Sequence, residues 1–202
     1  MSFSSCCGKP DRRAARATTR IMCAVDISRR ALVACAFLLA VLQSGPVLAV
    51  GWRDDMPQAR LQGQAGLRWF GLKIYDAALW SATTPFDPEQ RFALELTYQR
   101  SISRTRIVQA SVDEIRRLFG DRYDDARLRR WEADMERLFI DVHEGDQLTG
   151  VYLPGAGCRF YSRTQLLGEV RDPEFARAFF AIWLDPRTKD TQLRNRLLGT
   201  EK

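Results

Sequence analysis

The chain has one histidine, His143, and five cysteines, of which Cys6, Cys7, Cys23 and Cys35 fall in the first 49 residues. Cys158 is the sole thiol after them, so the remainder can form no internal disulfide and must hold together by its core. About 150 residues are enough for that. GxSxG, a P-loop, GxGxxG and HExxH are all missing. With one histidine a histidine-based triad has no evident nucleophile beside it. The acids around it, in Asp141-Val142-His143-Glu144-Gly145-Asp146, read as a charged connection with a glycine turn rather than as metal ligands. Nothing in the sequence calls for a metal or cofactor, and no residue is singled out as catalytic. A lone Cys158 at a strand start reads as a small packed side chain.

A basic surface is also lacking where it would matter. The net charge is +6. Lys9, Arg12, Arg13, Arg16, Arg20, Arg29 and Arg30 against Asp11 and Asp26 are seven basic and two acidic residues, so residues 1–49 carry +5 and the rest +1. A nearly neutral domain is a poor partner for nucleic acid, which needs clustered cations.

The early charge belongs to a leader. Arg29 and Arg30 precede an apolar run from Ala31 to Leu42, Gly45-Pro46 breaks it, and Val47-Leu48-Ala49 places small residues before a cleavage point. The run is shorter than the about 20 residues of a membrane span. The expectation is a signal peptide over residues 1–49, cleavage near Ala49, and a periplasmic or secreted domain over 50–202 with no stable membrane span. Ser28-Arg29-Arg30 approaches a twin-arginine signal, and Leu32-Val33-Ala34-Cys35 approaches a lipoprotein box placed too close to the arginines. Met22 is an alternative start that would make 1–21 an artefact. A mitochondrial transit peptide is a further alternative for the Arg-rich, acid-poor N-terminus.

From there on the chain reads as a single domain. Strands are expected at Leu61–Phe70, Leu72–Trp80 and Phe92–Tyr98, the last alternating cleanly. Two helices follow, one from a Ser103 cap to Phe119 and one from an Asp124 cap through Phe139. Strands return at Gln147–Leu153, Arg159–Ser162 and Leu166–Val170. Asp172-Pro173-Glu174 starts an apolar helix to about Leu184, and a last helix spans about Asp190 to Leu198 before Gly199. Strands, helices, strands, helices in that order argue for α+β with an antiparallel sheet and helices packed on one face. The other face would be left partly open, and offers a surface for a protein partner.

Among candidate site residues, Lys73, Tyr75, Ala77 and Leu79 share one face of their strand. Tyr75 there can donate to a carboxylate or carbonyl and Lys73 can supply charge, or the face is solvated and Lys73 snorkels. Arg68, Tyr98 and Arg100 stand with the same two readings. The arginines at 116, 117, 127, 129 and 130 read as solvated helix faces balanced by acids.

The segment Gly66-Leu-Arg-Trp-Phe-Gly-Leu-Lys-Ile-Tyr-Asp-Ala-Ala-Leu-Trp80 resembles the strand pair of the chalcone isomerase superfamily. Phe92–Tyr98, Gly145–Gly155 and Gly168–Pro186 resemble its bacterial, exported chalcone isomerase-like branch. The resemblance covers most of residues 60–199. It implies an open-faced sandwich with a ligand cleft between sheet and helices. In plant members the reaction closes a chalcone to a flavanone. An Arg on the first strand holds the substrate phenolate, and a Thr on the next strand belongs to a polar network. Non-catalytic relatives bind fatty acids and carry Tyr at the Thr position. Tyr75 matches that position. The Arg should lie about a dozen residues earlier, where Gln62 and Gly63 stand. Arg60 and Arg68 are the nearest arginines, each out of register unless the strand bulges. The resemblance therefore favours a non-catalytic binder of a small amphipathic ligand such as a fatty acid, with Tyr75, Lys73, Arg68 and Tyr98 as ligand-binding residues. The alternatives are an isomerase or intramolecular lyase acting on an aromatic substrate, and a structural or partner-binding module.

Overall fold

The structure is a computed structural model that describes residues 51–200. The expected leader and its cleavage point lie outside the described residues. Six strands, β1 (Arg60–Trp69), β2 (Leu72–Ser81), β3 (Phe92–Tyr98), β4 (Gln147–Leu153), β5 (Gly157–Ser162) and β6 (Leu166–Val170), form one sheet. Strand order equals chain order, and every pair is antiparallel. The fold is the α+β arrangement expected from the order of elements.

A short turn of helix, α1 (Trp52–Asp55), precedes β1. Between β3 and β4 come α2 (Arg104–Phe119), a 3-10 turn (Gly120–Arg122) and α3 (Asp125–Leu138). After β6 come α4 (Pro173–Leu184) and α5 (Thr191–Leu198). Caps fix most of these ends. Asp124 accepts from Arg127 N, Asp172 from Glu174 N and Phe175 N, and Asp190 from Leu193 N. Pro173 at the first helical position and Gly199 in the left-handed conformation complete the pattern. Ser103 occupies the N-cap of α2, but its side chain makes no cap bond. Asp141, next to the Ile102–Val142 bridge, accepts from Arg104 N at 2.7 Å instead.

The main core lies between the sheet and the four longer helices. Alternation puts Phe92, Leu94, Leu96 and Tyr98 of β3 into it, with Leu148, Phe160 and Val170 from the later strands. Against them α4 lays Phe175, Phe179, Phe180 and Trp183. The rings interlock edge to face, as in Phe160 with Phe179 (5.1 Å) and Phe92 with Phe180 (4.9 Å). Trp131 of α3 donates to Asp172 at 2.9 Å, tying that helix to the cap of α4.

The second sheet face is not bare. Trp52 and Met56 cover Ala93, Val151 and Tyr161 there. The Arg53 guanidinium stacks between Trp52 and Trp80, at 4.3 and 4.1 Å from the ring centres. Asp55 accepts from Arg159 (2.9 Å) and from the Tyr161 hydroxyl (2.5 Å). Periodicity does not find α1, because a single turn is too short to show one.

Candidate functional site

The β1–β2 ladder contains two bulges, at Leu61/Gly63 and Leu67/Arg68. The first lifts Gln62, whose amide donates to the Leu198 carbonyl, and turns Gly63 beneath α5. A Cβ at Gly63 would lie 2.5 Å from the Leu197 carbonyl oxygen, so only glycine lets the helix backbone come this close. The second bulge sits beside the Tyr75 pairing with Leu67. There the sheet parts from α2 and α4 and leaves a cavity of about 230 Å3.

That cavity is walled by Leu67, Ile74, Leu96, Ile107, Phe179 and further apolar side chains, with Tyr75, Tyr98, Trp183 and Arg106 as its principal polar groups. The tyrosines stand on neighbouring strands at paired positions, rings edge to face at 6.0 Å. Trp183 Nε1 of α4 donates to the Tyr75 hydroxyl oxygen at 2.9 Å. This leaves the Tyr75 O–H proton free to donate. Tyr98 is 3% exposed, and its hydroxyl has no hydrogen-bond partner among the described residues. Burial pushes the Tyr75 phenol far up, against the opposing Trp183 hydrogen bond and with a small push from Asp190 and Glu114. Burial, then the neighbouring Tyr75, does the same to Tyr98. Both hydroxyls are therefore proton donors across the physiological range.

Arg106, in the first turn of α2, lines this cavity and also an outer groove of about 660 Å3 that shares Leu67, Ile74 and Ile102 with it. The groove continues over Trp69, Leu72, Arg100, Ser101 and Ser103. Neither Arg100 nor Arg106 makes an ion pair among the described residues.

Tyr75 and Tyr98 are thus brought together. Lys73 and Arg68 are placed elsewhere. The Lys73 ammonium pairs with Asp76 at 2.7 Å, over Gly66 on the neighbouring strand. Arg68 is exposed and donates to the Gly71 carbonyl of the hairpin turn at 3.3 Å. Arg60 lies at the far end of β1, opposite Ser81. No arginine of β1 lines the cavity. Trp183 and Arg106 are the polar groups that sequence reasoning missed. Trp183 reads as one more apolar residue of α4, and Arg106 differs from its neighbours only by standing beside Ile107 on the inward stripe.

The remaining candidates resolve as packing or surface. Cys158 is buried, and desolvation together with the Asp172 and Asp134 charges holds it as a thiol. His143 is exposed, with Nδ1 3.4 Å from Asp146. Arg116 pairs with Asp125, Arg117 with Glu114 and Arg127 with Glu174. Among the described residues no cluster of three metal-ligating side chains occurs, and no helix is long and apolar enough to cross a membrane.

Residues 57–199 match the family model of chalcone isomerase-like domains, and the chain belongs to that family. Comparison with curated proteins returns no match. Among solved structures the chain is similar to a fatty-acid binding protein of Arabidopsis thaliana, with 12% sequence identity and a TM-score of 0.54. The match covers 75% of this chain and 89% of that one.

Proposed function

We propose that this is an exported, non-catalytic domain that binds a monocarboxylate with an apolar chain, of the fatty-acid class. One observation carries the reading: two tyrosines with protons to give, Tyr98 buried and Tyr75 partly buried, face a cavity whose walls are otherwise mostly hydrocarbon. Such a pair suits an acceptor-only group such as a carboxylate. Arg106 supplies the counter-charge that a partly desolvated anion needs. The apolar chain then runs past Leu67, Ile74 and Ile102 into the outer groove. The inner cavity alone falls below the about 300–1,000 Å3 of ordinary small-molecule sites, so a ligand spanning both spaces fits better. The likeness to a fatty-acid binding protein agrees with this. Export, to the periplasm or beyond, is supported by the leader pattern of residues 29–49.

Isomerase chemistry is the weaker reading. An oxyanion formed in the cleft needs a fixed cation or N–H partner. The first-strand positions that would supply an arginine are Gln62, whose amide bonds to the Leu198 carbonyl, and Gly63, covered by the α5 backbone.

The test is native mass spectrometry of protein isolated from cells expressing the full-length chain. A bound species of fatty-acid mass is expected, lost or strongly reduced in Tyr75→Phe, Tyr98→Phe and Arg106→Gln. An unmodified mass in the wild-type protein, together with no uptake of added palmitate, refutes the carrier reading. Turnover of a chalcone would transfer the cleft to the isomerase reading.

A further inference from the structure

The β1–β2 hairpin turns through Trp69-Phe70-Gly71-Leu72, with Trp69 paired to Leu72 and only two residues in the loop. Phe70 and Gly71 both have positive φ, 48° and 78°. That is the pattern of a type I′ turn, whose first loop position strongly favours asparagine, aspartate or glycine. A large aromatic in the left-handed region is unusual and unfavourable there. Phe70 gains nothing from the core in return: it is 87% exposed, and its ring contact is with Trp69, itself 66% exposed. Leu72 is 53% exposed. Three of the six exposed large hydrophobics among the described residues thus fall within four consecutive positions. Turn geometry opposes this sequence and packing does not reward it, so the tip is shaped for something outside the domain.

The surroundings indicate what that is. Trp69 and Leu72 form the outer lip of the groove, and Arg100 and Arg106 line the same groove without acidic partners among the described residues. Arg68 is bonded only to a backbone carbonyl at the turn. An aromatic tip flanked by unpaired arginines matches an interfacial membrane anchor: tryptophan and phenylalanine settle at the headgroup boundary, and guanidinium groups meet anionic lipid phosphates.

We propose that the β1–β2 hairpin tip docks on the surface of an anionic lipid bilayer and seats the mouth of the cleft against it. Phe70 and Trp69 enter the interface, while Arg100 and the exposed Arg68 lie at headgroup level. An amphipathic ligand then passes between bilayer and cleft without crossing water. This purpose rests on the carrier reading of the cleft, whereas the docking itself does not.

Phe70→Asn separates docking from folding. It restores the Asn-Gly turn favoured by the backbone, so the variant is expected to fold at least as well as the wild type while losing its anchor. The assay is co-sedimentation of the full-length chain with vesicles of phosphatidylcholine alone or mixed equally with phosphatidylglycerol. Residues 1–50 are common to every variant compared. The wild type is expected to pellet with the mixed vesicles, about tenfold more tightly than Phe70→Asn. Arg100→Gln is expected to weaken binding about fivefold, on the anionic vesicles only, and added salt to do the same. Equal binding of Phe70→Asn and wild type overturns the proposal. So does a wild-type chain that stays in the supernatant, including one that self-associates or captures a protein through Trp69 and Phe70. Native mass spectrometry of the same samples separates the two readings. Docking without a bound carboxylate refutes the carrier and keeps the anchor; a bound carboxylate without docking does the reverse.

Discussion

Gly63→Ala tests whether the first strand has surrendered its ligand position to the C-terminal helix. The added methyl would meet the carbonyl oxygens of Arg196 and Leu197, the latter at 2.5 Å. These are backbone atoms, so no side chain can swing aside, and α5 must move by roughly an ångström to restore ordinary contact. α5 is held to β1 by Leu193 and Leu197, both buried, and by Gln62 bonding to Leu198. A small shift is an overpacking defect costing about 1–3 kcal/mol. Full release exposes both leucines and costs about 3–6 kcal/mol, at about 1.5–3 kcal/mol for each. Urea unfolding distinguishes the two. A shift lowers the midpoint at constant m, whereas release also lowers m, because the native state then buries less surface. Gly63→Arg should always give the larger effect and no gain of isomerase activity. A Gly63→Ala protein within about 0.5 kcal/mol of wild type would refute the close approach and with it the statement that this position is closed to a ligand-binding side chain.

Two further outcomes concern the polar contacts around the cleft. Tyr75→Phe removes the acceptor of the Trp183 N–H in a buried site and should cost about 1–3 kcal/mol; in a Trp183→Phe background the same change should cost less than about 1 kcal/mol, read by a double-mutant cycle of urea midpoints. Asp172 accepts from Trp131 and caps α4, so Asp172→Ala should cost about 2–4 kcal/mol at neutral pH. Desolvation pushes the Asp172 carboxyl up, but Trp131, the Phe175 and Glu174 amides and the Arg127 charge together hold it below its ordinary value. Its contribution is therefore full above the unfolded pKa near about 3.9 and lost as pH falls through the lower folded value. The gap between wild type and Asp172→Ala should narrow as pH falls from about 5 through the unfolded value and below it, and a constant gap would contradict this.

The six strands and four longer helices were legible because each carries its own signal. Phe92–Tyr98 alternates at period two, and Asp172-Pro173 and Asp190 announce helix starts whose side-chain caps are present. Ser103 shows the limit of a local signal: it stands at the right position, but the cap bond comes from Asp141, brought near by the bridge at Val142. In the site, Tyr75 was legible from alternation and from the resemblance, and Tyr98 from alternation alone. The counter-charge was not. Lys73 shares a strand face with Tyr75 on paper, but its long side chain is taken by Asp76. Arg106 reaches the cavity only through the packing of α2, and Trp183 meets Tyr75 across a sequence separation of 108 residues.

The meander has a consequence for the order in which this chain assembles. Every ladder joins strands consecutive in sequence, but α2 and α3 intervene between β3 and β4, so the sheet can zip as two local meanders, β1–β3 and β4–β6, whose pairing closes the one long connection within it. Its ends are different. Asp55 reaches Arg159 and Tyr161 more than a hundred residues away, and α5 returns to lie on β1. These two clasps require the completed sheet as their template, so they form last and open first. Mutations in them should leave the folding rate nearly unchanged and speed unfolding, which places the kinetic lifetime of the domain in its two termini rather than in its aromatic core.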